Sequence, residues 1–190
     1  FRDALLIDPD FREARITLVR TYIEMAQTGL IETDEMLTQA QATLAPLVES
    51  DPDDPETLAF ATWLDHTAAW EQSFQEPEFS QRGFEKIATA IARAPIEPVL
   101  YELAAQVLGF IPDQEEEQLA FLNRGLEVDP LSLSLLERKA AILGFGLDRY
   151  EDALAVVSRI REVEPANPMG YSFAATINKR IGNHAEAIGW

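Results

Sequence analysis

The 190-residue sequence contains no cysteine and only two histidines, His66 and His184. Without cysteine there is no disulfide, no thiolate nucleophile and no cysteine-ligated zinc, and neither histidine has a second histidine at metal-ligand spacing. Long apolar runs are missing as well. The longest, from Ala140 to Leu147, spans eight residues, whereas a membrane-spanning helix needs about 20. The sequence therefore predicts no metal site and no membrane insertion.

Basic residues are also scarce. The chain has 15 lysines and arginines against 33 acidic residues, which gives a formal net charge of -18. A charge of this sign repels a phosphate backbone, so the composition predicts no nucleic-acid binding. Hydrophobic residues make up 47% of the chain, which argues against disorder and allows one domain or a short array of repeats.

Common catalytic and cofactor motifs are missing from the sequence. The acidic run at 51–56 has Glu56 at its sixth position and Thr62 at its twelfth, where a calcium loop requires glycine and glutamate. A turn between helices, with aspartates that cap the following helix, explains this run better. Gly144 and Gly146 follow no predicted strand, so they do not form a phosphate-binding loop. We therefore expect no enzymatic activity and no cofactor.

Similar helix-ending segments recur along the chain, and each is closed by a proline. These prolines stand at positions 9, 52, 95, 130 and 165, at intervals of 43, 43, 35 and 35 residues. Because proline ends a helix and restricts the residue before it, each one marks a boundary between pairs of helices. Each interval has room for two helices of about 12 to 15 residues and a short turn.

Apolar residues within these intervals follow helical spacing. In the fourth interval Leu136, Ala140 and Leu143 form one stripe, and a second stripe begins at Tyr150. The glycines and the aspartate at 144–148 are predicted to break the helix between the two stripes. No strand pattern competes, so the sequence predicts an all-α protein.

A proline-bounded helical hairpin of about 34 residues, with small residues where helices cross, resembles the tetratricopeptide repeat. Segment 150–154 followed by 164–168 resembles the start of that family's second helix and its repeat boundary. Segment 181–188 resembles the same turn and helix start, and segment 1–9 resembles the end of a second helix. The resemblance implies an all-α, right-handed α-solenoid of antiparallel helix hairpins.

The resemblance covers the whole chain as a single solenoid. Its predicted divisions are the end of a truncated hairpin at 1–9, four hairpins at 10–52, 53–95, 96–130 and 131–165, and a partial fifth hairpin at 166–190. Extensions near 28–36 and 71–80 account for the two longer intervals. The first residue, Phe1, and the abrupt end at Trp190 predict a fragment of a larger bacterial multidomain protein.

The family resemblance also implies a function, that of a non-catalytic scaffold binding a peptide or protein segment in a concave groove lined by the first helices. The family's groove positions fall on Arg20, Phe60, Trp63, His66, Gln106, Phe110, Arg138, Phe145, Phe173, Thr176 and Arg180. The alternative for the aromatic members is packing between neighbouring hairpins. The family's carboxylate clamp does not fit, because the chain has three lysines and Lys86 falls on a second helix.

A second hypothesis is a module that joins domains or oligomerises in a bacterial signalling or transcription-regulator protein. It is based on segment 7–15, which resembles repeats behind such domains. Apolar residues at the end of the stack, Ile177, Ile181 and Trp190, predict a homodimer through the solenoid ends. Under the scaffold hypothesis the acidic surface favours a basic partner. A passive spacer is the third alternative.

Overall fold

The computed structural model describes residues 1–183, and the end of the predicted fifth hairpin, with His184 and Trp190, lies outside them. Across those residues the chain forms α-helices, one π-helical segment and no strand. The chain divides into two compact units, Phe1–Pro95 and Ile96–Trp190.

The first unit begins with a short helix and continues with longer, paired ones. Its helices are α1 (Arg2–Ile7), α2 (Arg12–Gln27), α3 (Thr33–Ser50), α4 (Pro55–Ala68), α5 (Trp70–Gln75) and α6 (Pro77–Arg93). Helix α2 packs on α3, α3 on α4, and α4 on α6. Fully buried side chains such as Val19, Leu44, Phe60 and Ile87 come from each of these four helices, so each helix contributes an apolar stripe to the interior of the unit.

The second unit has the same alternation of paired helices. Its elements are α7 (Pro98–Leu108), α8 (Glu115–Val128), α9 (Leu133–Ala141), the π-helical segment Ile142–Gly146, α10 (Tyr150–Val163) and α11 (Pro168–Arg180). Consecutive helices from α7 to α11 pack on one another. A Cβ on Gly125 of α8 would lie 2.9 Å from Leu135 Cδ1 and 3.0 Å from Tyr101 Cβ. Glycine therefore lets α8 approach α7 and α9 closely.

Asp54 caps the start of α4, which confirms the capping interpretation of the acidic run at this residue. Its carboxylate accepts hydrogen bonds from the Thr57 backbone N–H at 2.9 Å and from the Thr57 hydroxyl at 2.8 Å. Arg12 Nη2 donates to both Asp54 oxygens, at 2.7 and 2.8 Å, and to Glu56 at 2.9 Å. Burial alone would raise the pKa of Asp54, but the bonds from Arg12 and Thr57 outweigh it and lower that pKa. The acidic turn thus fastens α4 to α2.

The predicted break at 144–148 is wrong in its position. The helix that begins at Leu133 continues through Gly146, with its last turn widened into a π-helix. Gly144 lies inside this π-helical turn. A Cβ on it would stand 3.1 Å from Ile177 Cδ1 and 3.4 Å from Ala153 Cβ. Its missing side chain therefore permits close packing on α10 and α11. The chain turns only at Asp148, whose φ of 53° is left-handed.

Candidate functional site

In the first unit the predicted groove residues lie mostly inside the protein. Phe60 on α4 is 1% exposed and Trp63, one turn further along, is also buried. Arg20 is exposed on α2. The two α4 aromatics therefore present almost no surface to a ligand in this conformation.

His66 is held in place by the backbone around it. Its Nδ1 lies 2.7 Å from the Thr62 carbonyl oxygen, and its Nε2 lies 3.3 Å from the Phe79 carbonyl oxygen. The ring is 3% exposed and stacks on Phe79 with centroids 4.4 Å apart. It occupies the space left by the missing side chain of Gly83 on α6. His66 thus packs α4 against α6.

In the second unit the predicted residues are more varied in exposure. Phe110, just after α7, is buried, whereas Gln106 on α7, Arg138 on α9 and Phe173 on α11 are half-buried. Phe145, Thr176 and Arg180 are more accessible, Phe145 at 37%.

Phe145 lies in the π-helical segment. The Leu147 backbone N–H donates to the Ile142 carbonyl five residues earlier, at 3.0 Å, so this turn holds one residue more than an α-helical turn. Single π-turns of this kind are frequent at functional sites.

The structure brings three of the predicted residues together. The Phe145 and Phe173 rings meet edge to face, with centroids 5.7 Å apart and planes at 64°. The Arg180 guanidinium carbon lies 5.0 Å from the Phe145 centroid, within cation–π range. We call Phe145, Phe173 and Arg180 the aromatic–arginine cluster. Thr176 belongs to the same stripe of α11 as Phe173 and Arg180, because spacings of three and four residues share one helix face.

Two residues missed by sequence reasoning border this cluster. Asp148 Oδ1 lies 3.8 Å from Arg180 Nη1, and the Tyr150 hydroxyl donates to the same oxygen at 2.6 Å. The hydrogen bond to Asp148 raises the pKa of Tyr150. Asp148 thus places a negative charge beside Arg180. Its position depends on the left-handed turn after the π-helix, which no sequence pattern signals.

Arg138 is a partly buried cation on α9. Its Nε is buried without a hydrogen-bond partner, and within residues 1–183 it forms no ion pair. Burial lowers the pKa of Arg138, and the nearby charge of Glu102 acts in the opposite direction. The Gln106 amide donates to Glu102 Oε1 at 3.1 Å. Glu102 therefore interacts with both residues: it accepts a hydrogen bond from Gln106, and its charge acts on Arg138.

Within the part of the chain that the structure describes, neither a metal site nor a membrane-spanning helix is present. No group of three or more histidine, aspartate or glutamate side chains is placed there to hold a metal ion. No helix among these residues is long and apolar enough to cross a membrane.

Comparison with known proteins gives matches by structure alone. No family model matches the chain, and no curated protein does. TTC0263, a thermophilic tetratricopeptide repeat (TPR) protein of Thermus thermophilus, is similar with a TM-score of 0.65 and 18% identity, over 92% of this chain and 87% of that one. MamA is similar in two crystal structures. The first has a TM-score of 0.60 and 16% identity, over 90% of this chain and 92% of that one. The second has a TM-score of 0.58 and 12% identity, over 90% of this chain and 87% of that one.

At sequence identities this low, the structural similarity shows that the fold is shared and nothing about function. The chain has the all-α fold of TPR proteins, as the proline spacing and the helical stripes predict.

Proposed function

We propose that this chain is a non-catalytic scaffold that binds a peptide or protein segment on the first helices of its second unit, α7, α9 and α11. The proposal keeps the predicted hairpins at 10–52, 53–95, 96–130 and 131–165 within one solenoid. The observation that carries it is the exposed aromatic–arginine cluster, formed where the π-turn brings Phe145 against α11.

The cluster has the composition of a binding hot spot. Aromatic and arginine side chains are enriched at protein interfaces and supply most of the binding energy there. The Phe145 ring is held by Phe173 on one side and Arg180 on another, so a partner meets a surface that is already ordered. Such preorganisation lowers the entropic cost of binding.

Arg138 adds a polar contact on the same helices. Its Nε is buried, but the side chain as a whole is half-buried. The accessible part of the guanidinium can therefore donate to a carbonyl or carboxylate oxygen of a bound segment. We propose a basic partner on the strength of the net charge of -18, which accelerates association with such a partner at low salt. In that case Arg138 would contact the partner's backbone.

The first test compares capture of proteins from a cell extract by matched variants. Phe145→Ala is expected to lose a partner that the wild type retains, because it removes the centre of the cluster, and by the hot-spot range the loss is about 2 kcal/mol. Leu131→Ala is the control, because Leu131 is also exposed and apolar but lies outside the cluster. Affinity is then measured on the captured partner by calorimetry at two salt concentrations. Equal binding by both variants would contradict the proposal.

A second candidate function is an oligomerisation or interdomain module, and α1 favours it. Leu6 and Ile7 of this helix are 83% and 87% exposed, which is unusual for adjacent large apolar side chains. If this surface joins two copies in a homodimer, Leu6→Ser with Ile7→Ser is expected to convert a dimer into a monomer in light scattering. A monomeric wild type would remove the support for the homodimer, and the cluster variant Phe145→Ala serves as the control.

A further inference from the structure

A cavity of about 490 Å³ opens between α8, α9 and α10 of the second unit. Its volume is within the range of small-molecule sites, about 300 to 1,000 Å³. The apolar part of the lining, which we call the floor, consists of Leu119, Ala120, Leu143, Ala155 and Val156. Leu119 and Leu143 are buried, Val156 is half-buried, and the two alanines are exposed. The rim is polar and consists of Glu116, Asn123, Lys139, Arg149 and Asp152. None of these residues belongs to the aromatic–arginine cluster.

The two cations of the rim differ in their partners. Arg149 is paired with Asp152, at 2.7 Å from Nη2 to Oδ2, and lies 3.6 Å from Glu116. Lys139 has no ion pair with any residue from 1 to 183. Burial and then the charge of Arg149 lower the pKa of Lys139, and Asp152 acts in the opposite direction. The rim thus presents one half-buried ammonium group that forms no ion pair with residues 1–183.

We propose that this cavity binds a monocarboxylate with a medium-length aliphatic chain. Its carboxylate accepts a charge-assisted hydrogen bond from Lys139 Nζ, and its chain covers the apolar floor. Leucine, alanine and valine side chains on helices offer no hydrogen-bond partners to a peptide backbone, and unpaired amides are costly to bury. An aliphatic chain has no such groups, so the floor favours it over an extended peptide.

Titration calorimetry with octanoate, below the concentration at which it forms micelles, tests the proposal on the whole chain. The wild type is expected to bind octanoate saturably and at least about tenfold more tightly than octan-1-ol, since the alcohol lacks the charge. Lys139→Gln is expected to lose at least about tenfold in affinity for octanoate. Lys179→Gln is the matched control, because Lys179 is exposed on α11. Ala155→Leu puts a larger apolar side chain on the cavity lining, leaves Lys139 in place and is expected to weaken octanoate binding by narrowing the cavity.

Lysine resonances supply a second readout. The chain has three lysines, Lys86, Lys139 and Lys179. Reductive methylation with ¹³C-labelled methyl groups therefore gives few lysine signals in an NMR spectrum, and these can be resolved. Octanoate is expected to shift the Lys139 signal selectively and to raise its pKa, because a carboxylate favours the charged ammonium. The other charged groups that line the same cavity are Arg149, Asp152 and Glu116.

The outcomes separate this inference from the proposed protein-binding function. Equal binding of octanoate and octan-1-ol, or unchanged binding by Lys139→Gln or Ala155→Leu, would overturn it. A peptide with an apolar, carboxylate-bearing end that binds the cavity where octanoate does not would overturn it too, in favour of a protein terminus. Phe145→Ala is expected to bind octanoate like the wild type, because the cluster is not part of the cavity.

Discussion

Gly83→Ala is expected to lower the free energy of unfolding by about 2 kcal/mol. A Cβ at this position of α6 would overlap the Cε1 and Nε2 atoms of the His66 ring. The ring has little room to retreat, because its Nδ1 is bonded to the Thr62 carbonyl and its face stacks on Phe79. Overpacking of a core costs about 1 to 3 kcal/mol, and displacement of His66 also weakens a buried hydrogen bond, at about 1 kcal/mol.

The sign of this change is informative, because alanine is the better helix former. In a helix, glycine is less favourable than alanine by about 1 kcal/mol, so without the overlap the substitution would stabilise the protein. Gly170→Ala on α11 is the matched control, since its Cβ would stand 3.2 Å from Arg161 Cγ and 3.3 Å from Ile160 Cγ2, so it would not overlap a ring as at Gly83. Urea unfolding followed by circular dichroism measures both variants.

A double-mutant cycle with His66→Ala isolates the contact. In that background the cost of Gly83→Ala is expected to fall below about 1 kcal/mol, because the alanine at 66 leaves space for the new Cβ. An unchanged cost would show that the destabilisation comes from a source other than the ring.

The contact between Gly83 and His66 shows why the fold was more predictable from the sequence than the candidate site. Proline positions and apolar stripes depend on the local chain, and they suffice to predict helices and their ends. The burial of His66 depends on a glycine 17 residues further along the chain. Phe60 and Phe145 both fall at groove positions in the sequence, yet Phe60 is enclosed by the core whereas Phe145 stands on a π-turn. Local periodicity does not record such long-range differences.

The sequence also does not predict which charged side chains form ion pairs. Two cations on adjacent positions of α9, Arg138 and Lys139, have no ion pair within residues 1–183, although the chain carries 33 acidic residues. Composition predicts abundant partners for every cation, but pairing depends on which helices bring which side chains within reach. A proline with an asparagine directly before it, by contrast, is a local signal of a helix start, and it correctly marks the start of α11.

Asn167→Ala is expected to cost about 3 kcal/mol of unfolding free energy. The Asn167 Oδ1 accepts the Gly170 backbone N–H at 3.0 Å and so caps α11. Its Nδ2 donates to Glu137 of α9 at 2.9 Å and to Glu164, at the end of α10, at 2.8 Å. Loss of a cap costs about 1 kcal/mol, and a hydrogen bond to a charged group contributes about 1.5 to 3 kcal/mol. This one buried side chain thus joins three helices.

Asn167→Asp separates the cap from the two carboxylate contacts. Aspartate caps a helix as well as asparagine does, but it places a third carboxylate beside Glu137 and Glu164. We therefore expect Asn167→Asp to destabilise the protein at pH 7 by about as much as Asn167→Ala. A variant as stable as the wild type would show that the cap alone matters. Asn123→Asp, at an exposed position of α8, controls for the added negative charge.

The pH dependence of this variant follows from Glu137. Burial raises the pKa of Glu137, the Asn167 hydrogen bond lowers it, and the charges of Glu164 and Glu102 raise it, with a net shift upward. Because its folded-state pKa exceeds the unfolded value, ionisation of Glu137 opposes folding, and this cost grows as the pH rises from about 4.5 through the folded-state pKa. Replacing the amide by a carboxylate removes the one downward contribution, so the destabilisation by Asn167→Asp is expected to be larger at pH 7 than at pH 5. Urea unfolding at the two pH values measures it, and an equal loss at both would mean that Glu137 stays ionised without cost beside the new carboxylate.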